Sequence, residues 1–390
     1  MTSRQREIFD LAGRLADEFR ENAGVWDREN RFPHENWERM QAEGYMSLCV
    51  PEELGGLGAG VLEFFLAQER LASGDGATAL GINMHHVGVV AAAGAWRRGD
   101  ARAERYLRGV VAGDVVFAGC TSEPGRGGSL IRPGVEAVKS DGGYLISGRK
   151  SFFTGHNGAT VFHSNATYED PEAGARVINF RLPIGVDGIT IHNTWDTLGM
   201  RGTQSNDLSF DNVFVPEEEV SYSYPADTFD PLIGQTFFGV NVPSFGAVFT
   251  GVAIGAAKWA RDWARERGRQ EDAEVRHTFA EIEIELETAK AVLYRQATEV
   301  DTGLFATLDV HEAFARGSFV KHLATTKAVA VVDLVSRVCG GVAYHRRFPI
   351  ERLVRDVRAG VIMPLNSLDT HRLLGETSLG IVPDASRYHL

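Results

Sequence analysis

The sequence predicts a three-part chain: a helical region, a central β-region and a second, longer helical region. Three patterns predict it. Apolar residues recur at three- and four-residue steps up to about residue 115, short alternating runs bounded by turn residues follow, and long apolar stripes return after about residue 230. The implied segments are 1–115, 116–225 and 226–390, in a chain of 390 residues that can hold two or three packed units.

In the first segment Ile8, Leu11, Leu15 and Phe19 share one helical face. Phe32-Pro33 ends that helix, because proline has no N–H to donate and keeps its predecessor out of the α region. Trp37 and Met40 open the next helix, and Pro51-Glu-Glu-Leu-Gly-Gly-Leu-Gly58 reads as a glycine-rich loop. Thr78 to Trp96 is apolar but rich in Ala and Gly, which predicts a buried helix packed closely on its neighbours.

In the middle segment Tyr144–Gly148, Val177–Arg181, Gly188–Ile191 and Leu208–Val215 read as short strands of a barrel or sandwich. Asp141-Gly142-Gly143 reads as a hairpin turn. In the third, Val248 to Arg267 is an amphipathic helix whose Gly251 and Gly255 permit close helix contact. Phe279, Ile282, Leu286, Ala289 and Leu293 form one stripe, and Phe319, Leu323, Thr326, Val331, Leu334 and Val338 another. Gly340-Gly341 stops that helix, and Arg352 to Arg358 begins a last one that Pro364 ends or kinks.

Composition narrows the function classes. A formal net charge of −12 disfavours nucleic acid and anionic membrane as partners, while leaving room for a local basic pocket. Cys49, Cys120 and Cys339 are few and widely spaced, which predicts buried small side chains, no disulfide framework and no metal site. Arg4, Arg6, Glu7 and Asp10 occupy the place where a signal peptide needs an apolar run, and no window reads as a transmembrane helix. A cytoplasmic location is expected.

The stretch Trp195-Asp-Thr-Leu-Gly-Met-Arg-Gly-Thr-Gln-Ser-Asn-Asp-Leu-Ser-Phe-Asp-Asn-Val-Phe-Val-Pro216 is a glycine turn followed by a strand. It resembles the acyl-CoA dehydrogenase superfamily, in which a Gly-Met/Leu-Arg-Gly-Thr/Ser turn leads into a Phe-x-x-Val-x-Val-Pro strand. The resemblance covers essentially the whole chain. It implies an acyl-CoA dehydrogenase-like fold: an N-terminal helical domain, a central β-barrel or sandwich domain and a C-terminal four-helix bundle. It also implies FAD between the last two domains, partly against a neighbouring subunit of a homotetramer.

Three motifs carry the flavin expectation. Phe117-Ala-Gly-Cys-Thr-Ser-Glu-Pro-Gly-Arg-Gly-Gly-Ser129 resembles the family's Thr-Glu-Pro-x-x-Gly-Ser loop. Its glycines admit a ligand to the backbone, and Thr121, Ser122 and Ser129 offer hydroxyls. Lys150-Ser-Phe-Phe-Thr154 resembles Lys-x-Trp-Ile-Thr, so Phe152 and Phe153 would pack near the flavin ring and Thr154 would reach its polar edge. Arg337, Gly340 and Gly341 stand where relatives use Gln-x-x-Gly-Gly against the adenine half of a neighbour's flavin.

The family's catalytic Glu is missing. A dehydrogenase removes the α-proton of an acyl thioester with a carboxylate whose pKa is raised in a dry cleft. Here Arg355-Asp-Val-Arg-Ala-Gly-Val-Ile-Met-Pro-Leu-Asn366 puts Pro364 at that position. The alternative location on the first bundle helix, Ser244 to Gly251, has no carboxylate either. Asp369 and Glu376 are the nearest replacements in sequence.

Three readings follow from the resemblance: a dehydrogenase of an acyl-CoA or related small molecule, with an electron-transfer flavoprotein as partner; a two-component monooxygenase that takes reduced flavin from a separate flavin reductase; or a non-catalytic flavin-binding homologue. His85, His86, His156 and Arg201 are candidate substrate-binding residues, each with an alternative reading as a packed or turn-holding side chain.

Overall fold

The computed structural model describes residues 1–125, 127–128, 130–384 and 387–388. The N-terminal part contains α1 (Ser3–Glu29), α2 (His34–Ala42), α3 (Val61–Ala72), α4 (Gly76–Arg97) and α5 (Ala101–Ala112). Helix α1 begins with a reciprocal cap, in which Thr2 Oγ1 accepts from the Gln5 N–H and the Gln5 side chain accepts from the Thr2 N–H. It ends at Asn30, whose left-handed backbone turns the chain toward Pro33.

The middle part contains β1 (Phe117–Cys120), β2 (Ser122–Glu123), β3 (Gly127–Gly128), β4 (Glu136–Ser140), β5 (Gly143–Phe153), β6 (Val161–Asp170), β7 (Gly174–Pro183), β8 (Ile189–His192), β9 (Asn206–Pro216) and β10 (Val220–Pro225). Eight of these form one sheet in the order β10-β7-β6-β4-β5-β9-β8, with β1 also on β6, while β2 and β3 pair separately. Asp141 and Gly142 form the predicted β4–β5 turn, joining Ser140 to its partner Gly143. The sheet curls into an open barrel: Phe180 on β7 touches Phe210 on β9, although these strands are not neighbours. Alternate residues Phe162, Ile178, Phe180, Leu182, Leu208 and Phe210 fill its inside.

The C-terminal part contains α6 (Pro231–Thr236), α7 (Val242–Glu266), α8 (Ala273–Asp301), α9 (Val310–Cys339), α10 (Pro349–Ile362) and α11 (Ser367–Ser378). Helices α7 to α10 make the bundle, and α3 packs across α7 and α8. Gly251 and Gly255 allow that approach: a Cβ at either would collide with the backbone oxygen of Glu69 or Ser73. Helices α6 and α7 are joined by one wide π-turn, Phe237–Asn241, and the Gln296 side-chain amide donates to the carbonyls of Phe238 and Gly239 there.

Three expectations are corrected. The α9 stripe is offset, because Thr326 is exposed while Ala324, Thr325, Ala328 and Val332 are buried. Small residues make the close contacts there, while Val331, Leu334 and Val338 of the expected stripe are buried as predicted. A further helix, α11, follows Pro364. The continuous run Pro231–Glu266 is long and apolar enough to cross a bilayer by composition, contrary to the sequence reading, but 83% of that window is buried inside the molecule. It is the central wall of the bundle.

Candidate flavin and substrate site

The loop from β1 into β2 is held by a buried cation. Lys150, fully buried on β5, donates from Nζ to Glu123 Oε1 (2.8 Å), Asn165 Oδ1 (2.7 Å) and the Thr121 carbonyl (3.2 Å). Burial pushes the Lys150 ammonium below its usual value, and Glu123 opposes that. Glu123 also accepts from the Gly134 and Val135 N–H groups. Thr121 and Ser122 are therefore presented on a fixed backbone. Ser129 lies outside the described residues.

Phe152 and Phe153 part company. Successive strand residues face opposite sides, so Phe153 is buried in the barrel against Phe162 and His156 (ring centroids 5.2 Å for each) and cannot meet a flavin. Phe152 is 58% exposed at a left-handed φ of 57°, edge-on to Trp195 at 6.0 Å. A bulky residue rarely adopts that conformation, and here it turns the ring outward. Thr154, half-buried, hydrogen-bonds Ser205 Oγ at 2.8 Å. A fixed loop backbone, an exposed aromatic ring and a hydroxyl are groups of the kind a flavin ring would take.

Arg337, Gly340 and Gly341 are exposed at the end of α9, and both glycines open onto free space. Nearby Tyr344 is 91% exposed.

The substrate-side histidines are corrected. The Phe117 N–H donates to His85 Nδ1 (3.0 Å), so the proton sits on Nε2, which donates to the Met46 carbonyl (2.8 Å). Burial pushes His85 down to about 4. His86 is buried edge-on to Tyr45 and Phe64, and burial holds it well below its usual value. Both are core residues, on faces of α4 turned away from the cavity described below. His156 is also buried; Asn206 donates to its Nε2 (3.2 Å), and burial lowers it to about 4. Arg201 holds its own turn by donating to the Asp27 and Thr197 carbonyls and Asp196.

The Gly199–Thr203 turn docks the sheet onto the helices. The Met200 N–H donates to Asp356 on α10 (2.6 Å), and a Cβ on Gly199 would strike the Arg355–Asp356 backbone. Arg355 joins Asp27 on α1 to the Leu198 carbonyl. Desolvation raises Asp356 to about 6 despite Arg352.

Neither candidate base lines the cavity described below. Asp369 is 4% exposed in the first turn of α11, where it accepts from Asn366 Nδ2 and pairs with Arg372. Glu376 accepts from the Tyr388 hydroxyl. Around Pro364, Lys321 Nζ donates to the Met363 (2.6 Å) and Leu365 (3.0 Å) carbonyls, so this segment is pinned by a cation and offers no carboxylate. Burial lowers Lys321 to about 7. Glu376→Gln is expected to leave turnover unchanged, since the amide still accepts from Tyr388; a large fall in kcat at unchanged stability would restore Glu376 as the base.

A cavity of about 360 Å³ lies between α4, the outer face of the sheet and α6. Met84, Val87, Gly88, Ala91 and Ala95 form its helical wall at three- and four-residue steps. Leu232, Ile233, Thr236, Phe237 and Asn241 close the opposite side. From the sheet come Phe117 and Gly119 on β1, Thr121 just past its end, His163 on β6, and Asn179 and Arg181 on β7. Gly119 makes room for His163, whose Cε1 would stand 3.0 Å from a Cβ there. Burial lowers His163 to about 4, so its ring is neutral.

Among the described lining residues Asp100 is the one carboxylate. It caps α5 and accepts from Arg102 through its backbone and guanidinium N–H groups. Partial burial would raise its pKa, but the Arg102 hydrogen bonds hold it below the usual range. The sequence reading missed Asn179, Arg181 and His163. The alternation of β7 could have found two of them, since Asn179 and Arg181 lie opposite the core face Ile178, Phe180 and Leu182.

Comparisons with known proteins agree with this fold. Residues 2–114, 118–213 and 244–363 match the models of the acyl-CoA dehydrogenase N-terminal, middle and C-terminal domains. The chain is similar to the putative acyl-CoA dehydrogenase YdbM of Bacillus subtilis, 31% identical over 95% of this chain and 97% of that one. It is similar to the amino sugar nitrososynthase DnmZ of Streptomyces peucetius, 31% identical over 96% and 93% of the two chains. The solved structure of KijD3 in complex with FMN and dTDP-3-amino-2,3,6-trideoxy-4-keto-3-methyl-D-glucose superposes with a TM-score of 0.89, at 27% identity, over 99% of this chain and 97% of that one.

Proposed function

Because the chain belongs to the acyl-CoA dehydrogenase family, we propose that it is the family's oxygenating type: a monooxygenase that uses a reduced flavin to oxygenate a small organic substrate. It is a flavin-dependent oxidoreductase of that fold. The reduced flavin, FAD or FMN, arrives from a separate flavin reductase. When bound, it supplies two electrons to molecular oxygen, of which one atom enters the substrate and the other leaves as water.

The observation that supports this reading is the absence of a usable base among the described lining residues. α-Proton abstraction needs a carboxylate of raised pKa at the substrate. Pro364 has replaced the Glu, and Asp100 is held ionised by Arg102. Oxygenation makes no such demand. It requires a site that binds the substrate and excludes water, which the walls of Met84, Val87, Ala91 and Phe237 do. Thr121 and Ser122, fixed by the Lys150–Glu123 clamp, would hold the flavin together with Phe152 and Thr154. Similarity to nitrososynthases acting on amino sugars supports the same reading.

Two measurements test it. Anaerobic addition of acyl-CoAs of varied length is expected to leave the oxidised flavin band unbleached. Enzyme supplied with reduced flavin and oxygen is expected to oxygenate members of an amine, thioether and phenol panel. Bleaching by any acyl-CoA would overturn the proposal in favour of dehydrogenation.

A further inference from the structure

Arg181 is a half-buried guanidinium on the cavity wall that forms no ion pair and no hydrogen bond among the described residues. Its plane lies over the rings of Tyr106 (5.4 Å) and Phe117 (5.9 Å), which hold it in place without neutralising it. The acidic groups around it are already engaged: Asp100 accepts from Arg102, and Glu219 accepts from Tyr106 and Arg105. His163, its register partner on β6, is neutral. Asn179, two residues away on the same face of β7, lines the same wall, with its buried side-chain amide against the Tyr224 hydroxyl. Arg98, exposed where α4 ends, lines the same cavity and also forms no ion pair among the described residues.

A desolvated cation without a counterion is costly unless a ligand supplies one. In a chain of net charge −12 this end of the cavity is locally positive. We infer that Arg181, with Asn179 and Arg98, is an anion-recognition site, and that the substrate is a small organic anion with an apolar body. The inference rests on the cavity being the substrate site of the reaction proposed above.

Gly119, His163 and Arg181 stand side by side on β1, β6 and β7, and Thr121 is two residues beyond Gly119, just past the end of β1. Strand spacing and rise then put Arg181 roughly 12 Å from Thr121. The charged end sits at Arg181, the body runs along Val87, Ala91 and Phe237, and the reacting group points toward Thr121 on the loop proposed to hold the flavin.

The test is calorimetric binding to flavin-loaded enzyme of hexanoate, hexanesulfonate and hexyl phosphate, with hexanamide as the neutral control. The anions are expected to bind and hexanamide not; which anion binds tightest identifies the headgroup. Arg181→Gln is expected to weaken anion binding by about tenfold to a hundredfold, the worth of one charge-assisted hydrogen bond. Arg181→Lys should recover part of the loss, because the charge returns without the planar fork. Thermal melts and flavin affinity of both variants should match wild type.

Equal binding of hexanamide, or unchanged anion binding in Arg181→Gln, overturns the site. So does loss of flavin in Arg181→Gln, which would assign the guanidinium to the flavin phosphate. Anion binding without oxygenation of any substrate would leave the site standing and overturn the reaction.

Discussion

Lys150→Met is expected to unfold about 3–5 kcal/mol more easily than wild type, the usual cost of removing one member of a buried ion pair. The loss has two parts. Three hydrogen bonds from Nζ disappear, and the Glu123 carboxylate, 5% exposed, is left buried without its cation. The Gly134 and Val135 N–H groups still donate to it, which limits the damage. The freed Thr121 carbonyl loosens the loop proposed to hold the flavin, so flavin affinity should fall as well. Adding Glu123→Gln should recover part of the stability by removing the stranded charge. Urea unfolding measures both variants, and a loss below about 1 kcal/mol in Lys150→Met would show that the clamp is not structural.

A second large effect is expected at Glu69, on the face of α3 that meets the bundle. Its carboxyl accepts from the Tyr294 hydroxyl at 3.0 and 2.9 Å. Burial raises it from 4.5 to about 7, against the opposing pull of Lys290 and Tyr294. The folded state therefore keeps a proton that the unfolded chain gives up. The associated stability is fully present below pH 4.5 and is lost as pH rises to about 7, a difference of about 3 kcal/mol. Glu69→Gln keeps an acceptor for Tyr294 and has no charge to desolvate. The variant should melt with wild type near pH 4.5 and well above it at pH 8. Equal melting temperatures at both pH values would mean that Glu69 is not desolvated as described.

Most of the architecture was legible because period and punctuation agree along this chain. The Ala- and Gly-rich stretch from Thr78 to Trp96 became a buried helix, and Gly251 and Gly255 became the contact that lets α3 lie on α7. Legibility failed where every face of an element is covered. Helix α4 is apolar nearly all round, so no pattern told His85 and His86 in the core from Met84 and Val87 at the cavity. Arg181 escaped notice for a related reason. Alternation assigns it to the outer face of β7, but what stands opposite that face, α4 and α5, is set by tertiary packing. The Gly199–Thr203 turn was the clearest family signal, yet its contacts are those of a joint between sheet and helices. Asp369 and Glu376 were chosen by nearness in sequence to Pro364, and α11 carries them into caps and tail contacts instead.

The wide turn at Phe237–Asn241 has a consequence for how this cavity can change over generations. Residues before it on α6, and Phe237 and Asn241 within it, form one wall, while α7 beyond it is fixed in the bundle core. Loss of a single residue there would tighten the turn to ordinary α-helix and rotate α6 by about 100° relative to α7. Leu232, Ile233 and Thr236 would swing off the cavity together and other side chains would take their places. One in-frame codon deletion could thus re-shape the pocket wholesale, a route to a new substrate that no series of point substitutions at the wall would follow.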